Sequence, residues 1–224
     1  MQISAIEGYR LWAPAYDSAP NPLLALEARV MRRLLSSNRS TRVVDIACGT
    51  GRWTRYFADR QATVFGIDLC QEMLYLARRR QLPRSHFILA DALRVPLRTA
   101  SAGLVLCSLA LGHFEDLDQA FTEMARIAQP GAVVAISDLH PEALAAGWTG
   151  SFRVGKLEYS IANFRHSASS IFAAARNAGL HLNTKTEAHF AAPELGAFAA
   201  AGKQGHFNRF RTTPALWAGL WQKI

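Results

Sequence analysis

Five short apolar runs alternate with amphipathic stretches, and that alternation leaves few folds open to the chain. Residues 43–47 (VVDIA), 62–68 (ATVFGID), 86–92 (HFILADA), 103–111 (GLVLCSLAL) and 132–139 (AVVAISDL) read as strands. Between them lie helical patterns. Asn21-Pro22 caps apolar Leu23, Leu26, Val30 and Leu34 over 22–36. A helix begins near Trp53, QEMLYLARRR follows the second strand, and Asp116 opens a helix carrying Leu117, Phe121, Met124 and Ile127, which Pro130-Gly131 should end. Strands apolar on both faces and separated by helices predict a parallel sheet covered on both sides, a doubly wound α/β fold. Beyond it, 151–161 alternates around Gly155-Lys156 like a hairpin, and SASSIFAAARNAGL reads as a helix capped by Gly179. Residues 180–190 and 213–223 supply two late strands; Pro214 places the start of the last one there, or the strand away from a central position.

In such a sheet ligands bind at the carboxyl ends of the strands, near the point where strand order reverses. VVDIACGTGRWT puts Gly49 and Gly51 in a tight turn at that end of the first strand, where a missing Cβ lets a ligand lie against the main chain. Asp68 ends the second strand, 68 − 45 = 23 positions past Asp45, and suits a carboxylate that accepts ribose hydroxyls. Together they indicate a nucleoside-bearing cofactor. A dinucleotide turn needs a third glycine where this chain has Thr54, and Asp45 would repel a pyrophosphate while suiting an ammonium. An NAD-dependent oxidoreductase is therefore disfavoured.

VVDIACGTG, VFGIDLCQEML, ILADALRVPL and GAVVAISDLH, with YRLWAPAYDSAPNPLLALE near the start, resemble the ordered motifs of class I S-adenosylmethionine-dependent methyltransferases. The likeness is greatest to the ubiquinone and menaquinone subgroup and to small-molecule methyltransferases. It implies a seven-stranded, mostly parallel sheet in one domain over residues 1–224, with an N-terminal helical cap (1–40) and a substrate-lid insertion (141–166) after the fifth strand. It also implies S-adenosyl-L-methionine as cofactor and S-adenosyl-L-homocysteine as product. Asp45 and the backbone at Ala47, Gly49 and Gly51 would hold the methionine part. Asp68 would take the ribose, with Leu69 and Met73 beside the adenine and Asp91 with Ala92 at its amino group. Ser108 and Leu109 would lie near the donor methyl, and Tyr16 would close over the cofactor. Two positions depart from the pattern: Ala47 where glycine is usual, and Gly103 where an acid is usual.

The implied reaction is in-line displacement, in which alignment and water exclusion matter most and a general base is optional. His113 and His140 are the candidate bases, because both follow central strands. Trp12, Trp148, Phe152, Tyr159 and Phe164, with His166, form the expected apolar lid over an aromatic or quinone-like acceptor.

Of 224 residues half are hydrophobic, enough for one sizeable core, and the longest apolar stretch, 102–111, is far short of the ~20 residues of a membrane span. The formal charge of +8 comes from arginines grouped at predicted helix ends (Arg32, Arg33, Arg39, Arg42; Arg78, Arg79, Arg80, Arg84), without interleaved aromatics to stack bases. Nucleic acid is thus disfavoured as a partner and a small-molecule acceptor the expected one. An RNA-directed methyltransferase and a catalytically silent cofactor-binding protein are the alternatives. Cys48, Cys70 and Cys107 have no metal-ligand spacing, so no metal is expected, and three unpaired thiols without a secretory signal suggest a reducing cytoplasm.

Overall fold

The computed structural model describes residues 1–148 and 150–224. A seven-stranded sheet carries the chain. In chain order its members are β2 (Arg42–Ile46), β3 (Thr63–Asp68), β4 (Ser85–Leu89), β5 (Ala102–Ser108), β6 (Ala128–Leu139), β9 (Leu180–Ala188) and β10 (Leu216–Lys223). Their spatial order is β4-β3-β2-β5-β6-β10-β9, and β10 runs antiparallel to both of its neighbours. Order reverses between β2 and β5, so their carboxyl ends flank the crevice where this fold binds ligands.

Two-sided burial follows from the period of two along each strand. Val44, Val105 and Cys107 join one core with Phe121, Met124 and Trp221, whereas Val43, Leu104 and Leu106 join Met31, Trp53 and Phe57 on the other face. The covering helices are α2 (Pro22–Leu34), α3 (Arg52–Ala58), α4 (Gln71–Arg79), α5 (Leu117–Ile127) and α7 (Ala168–Asn177). Asn21 caps α2 and Asp116 caps α5 through their side chains, as their sequence positions predict.

Several boundaries differ from the sequence reading. Helix α5 stops at Ile127 rather than at Pro130-Gly131, because Ala128 already pairs with Ala102. Pro130, which has no N–H to give a ladder, sits in the register shift before Val133 pairs with Leu104. Strand β5 ends at Ser108, since Leu109 (φ +55°) turns the chain into a short 3-10 turn, Leu111–His113. Strand β4 ends at Leu89, ahead of Asp91. Pro214 comes just before β10, in keeping with the first of its two expected placements, and β10 lies inside the sheet. Residues 191–212, left without elements by sequence pattern, include α8 (Leu195–Ala200) and α9 (Gln204–Phe210), whose Phe198 and Phe210 pack with Phe190 around Trp148.

Above the crevice a second, three-stranded sheet forms from β7 (Ser151–Val154), β8 (Leu157–Ile161) and β1 (Gln2–Ile3), which pairs parallel to β8. Gly155 (φ +60°) makes the two-residue turn of the expected hairpin. Helix α1 (Ala5–Tyr16) follows β1, and its Trp12 stacks on Phe152 with ring centroids 5.0 Å apart. Strand β1, helix α1 and the β7–β8 hairpin therefore make one roof. A Cβ on Gly8 would lie 2.8 Å from Cγ1 of Ile161 in β8. Gly8→Val is expected to destabilise the protein by about 1–3 kcal/mol through this overpacking, read as a lower Tm and earlier proteolytic cleavage in residues 151–161.

Candidate functional site

Beneath the roof lies a cavity of about 460 Å³ whose walls come from the carboxyl ends of β2, β3, β5 and β6 and from α1. The turn 47–51 shapes one side. Ala47 (φ +53°) and Gly49 (φ +56°) are both left-handed, and a Cβ on Gly49 would meet no protein atom within 4 Å. Ala47 holds without a glycine's freedom a conformation that costs an ordinary residue roughly 1–2 kcal/mol. Gly51 (φ +80°) stands behind the cavity wall, at the N-cap of α3, with the Phe87 ring 3.3 Å from where its Cβ would be.

The three acids stand at successive strand ends and line the cavity. Asp45 is buried, and its Oδ2 accepts a hydrogen bond from Thr54 Oγ1 at 2.8 Å. Burial pushes its carboxyl up to about 7, because the Thr54 hydrogen bonds and the Arg52 charge do not replace lost hydration. Thr54 thus fills the place of a third glycine with a partner for the acid. Asp68 braces the turn: Oδ2 accepts from Gly49 N at 2.7 Å and Oδ1 from Cys70 N at 2.8 Å, and burial raises its pKa. Asp91, exposed at the rim beside Ala92, accepts from Leu93 N at 2.9 Å. Leu69 lies 56% exposed at the mouth while Met73 is buried in the wall below it.

Sequence reasoning missed the residue that binds these parts together. Glu27 of α2 is fully buried. Its Oε1 accepts from Ser108 Oγ (2.6 Å), Trp53 Nε1 (3.0 Å) and Ser137 Oγ (3.0 Å), and its Oε2 lies 2.6 Å from Arg52 Nη1. The signal was present in the pattern, because Glu27 falls four residues after Leu23 and three before Val30, on the apolar stripe. At the end of α1, Asp17 accepts from Thr50 Oγ1 at 2.7 Å and pairs with Arg80, fastening the cap to the glycine turn.

The candidate bases separate. His113 lines the cavity with its Nε2 2.9 Å from the Tyr9 hydroxyl, and burial lowers its pKa to about 4, away from the working range expected of a general base. His140 faces elsewhere: its Nδ1 accepts from Glu142 N as the N-cap of α6 (Pro141–Ala145), and its Nε2 lies 3.6 Å from Glu187. Of the expected lid residues, Trp12, Trp148 and Phe164 line the cavity, as do Tyr16, Ser108 and Leu109 of the expected cofactor set. Phe152 and Tyr159 stack in sequence behind Trp12, outside the wall, and His166 is 2.7 Å from the Phe114 carbonyl through Nε2. The three cysteines are buried free thiols, and no metal-binding cluster occurs among the described residues.

Residues 44–136 match the family model of the methyltransferase domain. This stretch is similar to the methyltransferase domain, and the chain around it is similar to S-adenosylmethionine-dependent methyltransferases. It is 36% identical over 130 residues to malonyl-[acyl-carrier protein] O-methyltransferase of Serratia marcescens, covering 57% of this chain and 49% of that one. It is 31% identical over 152 residues to demethylmenaquinone methyltransferase of Renibacterium salmoninarum, covering 66% and 61%. The chain thus spans about half to three-fifths of the length of these relatives. In fold it resembles an S-adenosylmethionine-dependent methyltransferase from Mesorhizobium loti (TM-score 0.71, 20% identity, 91% and 100% covered). It also resembles the [4+2]-cyclase SpnF (TM-score 0.67, 16% identity, 97% and 94% covered).

The residues of the cavity fit S-adenosylmethionine: an under-compensated buried acid for an ammonium, an open cradle at Gly49, and a second acid one strand away. Glu27→Ala should cost about 3–5 kcal/mol, because it leaves Arg52 and three further donors without their acceptor. Chemical denaturation measures the loss, and Glu27→Gln, which keeps one carbonyl oxygen, is expected to recover part of it.

Proposed function

We propose that the protein transfers a methyl group from S-adenosylmethionine to a small aromatic or quinone-like acceptor by in-line displacement. The observation that carries the reading is the series Asp45, Asp68 and Asp91 at three adjacent strand ends around one cavity. Asp45 would hold the cofactor ammonium, Asp68 the ribose hydroxyls, Asp91 with Ala92 the adenine edge, and Leu69 with Met73 its faces. The cofactor supplies an activated methyl, so what this chain contributes is alignment and a dry chamber, effects that together reach ~7–11 kcal/mol when geometry is right. Trp12, Tyr16, Trp148 and Phe164 give the chamber its aromatic wall, and the roof built from α1, β1 and the β7–β8 hairpin would act as the lid.

A polyanionic acceptor is the second reading, favoured by one feature. Arg32, Arg39, Arg55 and Arg60 line a wider groove of about 1290 Å³ along α2 and α3. Of the aromatic residues there, Tyr56 is not offered to a base, since the Arg60 guanidinium lies 3.6 Å over its ring. RNA retention on filters that falls steeply with salt would support that reading over ours.

Two outcomes test the proposal. Asp68→Ala should weaken S-adenosylhomocysteine binding by about 10- to 100-fold in calorimetry, the loss of a charged hydrogen-bond acceptor. Asp45 makes the affinity depend on pH. Its carboxyl titrates near 7 when folded against an ordinary 3.8, so its protonated form favours the folded apoprotein below 3.8, and that contribution is lost as pH rises through 7. An ammonium ligand selects the ionised form. Affinity should therefore fall below about pH 7, by up to about tenfold per unit, with proton release on binding visible as a buffer-dependent heat.

A further inference from the structure

The kind of nucleophile the chamber accepts is set by the charges in its wall. Two acids line it besides the three already placed: Glu115, exposed at the rim, and Asp138, the penultimate residue of β6. The sheet itself positions Asp138. Ser108 at the end of β5 pairs with Ser137, and Leu109 N donates to Ser137 O at 2.7 Å, so the next step outward on β6 is Asp138, beside the pair expected near the donor methyl. Its Oδ1 accepts from Leu139 N at 2.7 Å and its Oδ2 from Gly112 N at 3.1 Å. Backbone amides hold the carboxyl in place, and among the described residues no side chain donates to it.

The titratable groups around it are Tyr9 of α1, His113 after β5, Cys107 within β5 and His166 beyond the hairpin. Burial keeps Tyr9 and Cys107 protonated and His113 uncharged near neutrality. Among the described residues the one lysine or arginine in the cavity wall is Arg52, which is committed to Glu27 and Ser108. An anionic acceptor would find no free cation here, and it would meet a carboxylate.

We propose that the acceptor enters this chamber as an uncharged, protic nucleophile, a phenol, quinol or enol hydroxyl, that Asp138 takes its proton, and that carboxylate acceptors are rejected by the same charge. The proposal rests on the methyl-transfer reading above. In the step, the acceptor O–H bond breaks and its proton passes to an Asp138 oxygen. The electron pair so released forms the new bond to the methyl carbon, the pair of the broken C–S bond stays on sulfur, and Asp138 returns the proton to water after product leaves. Burial raises the Asp138 carboxyl to about 6, so it is ionised at neutral pH yet basic enough to share a hydroxyl proton.

The test uses 1-naphthol and 1-naphthoate, a phenol and a carboxylate of one shape, titrated by calorimetry into protein saturated with S-adenosylhomocysteine from about pH 5 to 8. Wild type should prefer 1-naphthol by roughly tenfold or more at pH 7.5 and lose most of that preference below about pH 6, where Asp138 gains its proton. Asp138→Asn should bind 1-naphthoate roughly tenfold better than wild type at pH 7.5 and show no such pH dependence, which assigns the titration to Asp138 rather than His166. Equal binding of both probes by wild type at pH 7.5, no binding of 1-naphthol, or a preference unchanged in the variant each overturns the proposal. The wild-type pH series decides it even where the variant misfolds. Absence of S-adenosylhomocysteine binding at the outset would instead mean that the cofactor reading has failed.

Discussion

A carboxylate shut away from water, Glu27, is the tie on which the arrangement of the crevice depends. One oxygen gathers two serine hydroxyls and an indole N–H from three separate elements, and the other meets a guanidinium. A buried acid is costly unless it is compensated, and here three hydrogen bonds to one oxygen and an ion pair at the other come from groups that must all be in register. The consequence reaches past stability. Ser108 and Arg52 line the cavity, so the same bonds that seat α2 against the sheet also set the side chains nearest the proposed methionine end.

Asp45 and Asp68 show the opposite economy of partners. Asp45 is buried and Asp68 half-buried, Asp45 is held by Thr54 and Asp68 by backbone amides alone, and both carboxyls are pushed upward. Groups left short of compensation in this way store binding capacity for a ligand with positive charge and hydroxyls. The fold alone does not decide how that capacity is used: one chain of similar fold is named as a methyltransferase and another as a [4+2]-cyclase. Discrimination has to come from the chamber wall, where Tyr9, His113 and Asp138 face aromatic and aliphatic side chains.

What could be read from the sequence was what repeats locally. Strand and helix periods, the Asn21 and Asp116 caps, the Gly155-Lys156 turn and the strand-end acids all leave a mark within a few residues. The features missed are pairings over long separations. Gln2–Ile3 is too short to show a period and becomes a strand only because Ser160 and Ile161 offer an edge 158 positions away, from 160 − 2. Tyr9 meets His113, and Asp138 meets Gly112, through folding back of the chain rather than through spacing. His140 misled for a related reason: it follows a central strand as expected, but Pro141 starts a helix at once and turns the imidazole into its cap.

The placement of β10 has a consequence for how the chain is made. Its residues lie 216 − 139 = 77 positions after the end of β6, yet they fill the space between β6 and β9. Until they arrive, a long apolar strand presents an unsatisfied row of amides and carbonyls, the kind of border along which nascent polypeptides stick to one another. The tryptophans at 217 and 221, both buried against the main core, are thus the fastening that closes this border, and a ribosome stalled before them would release a molecule prone to clump.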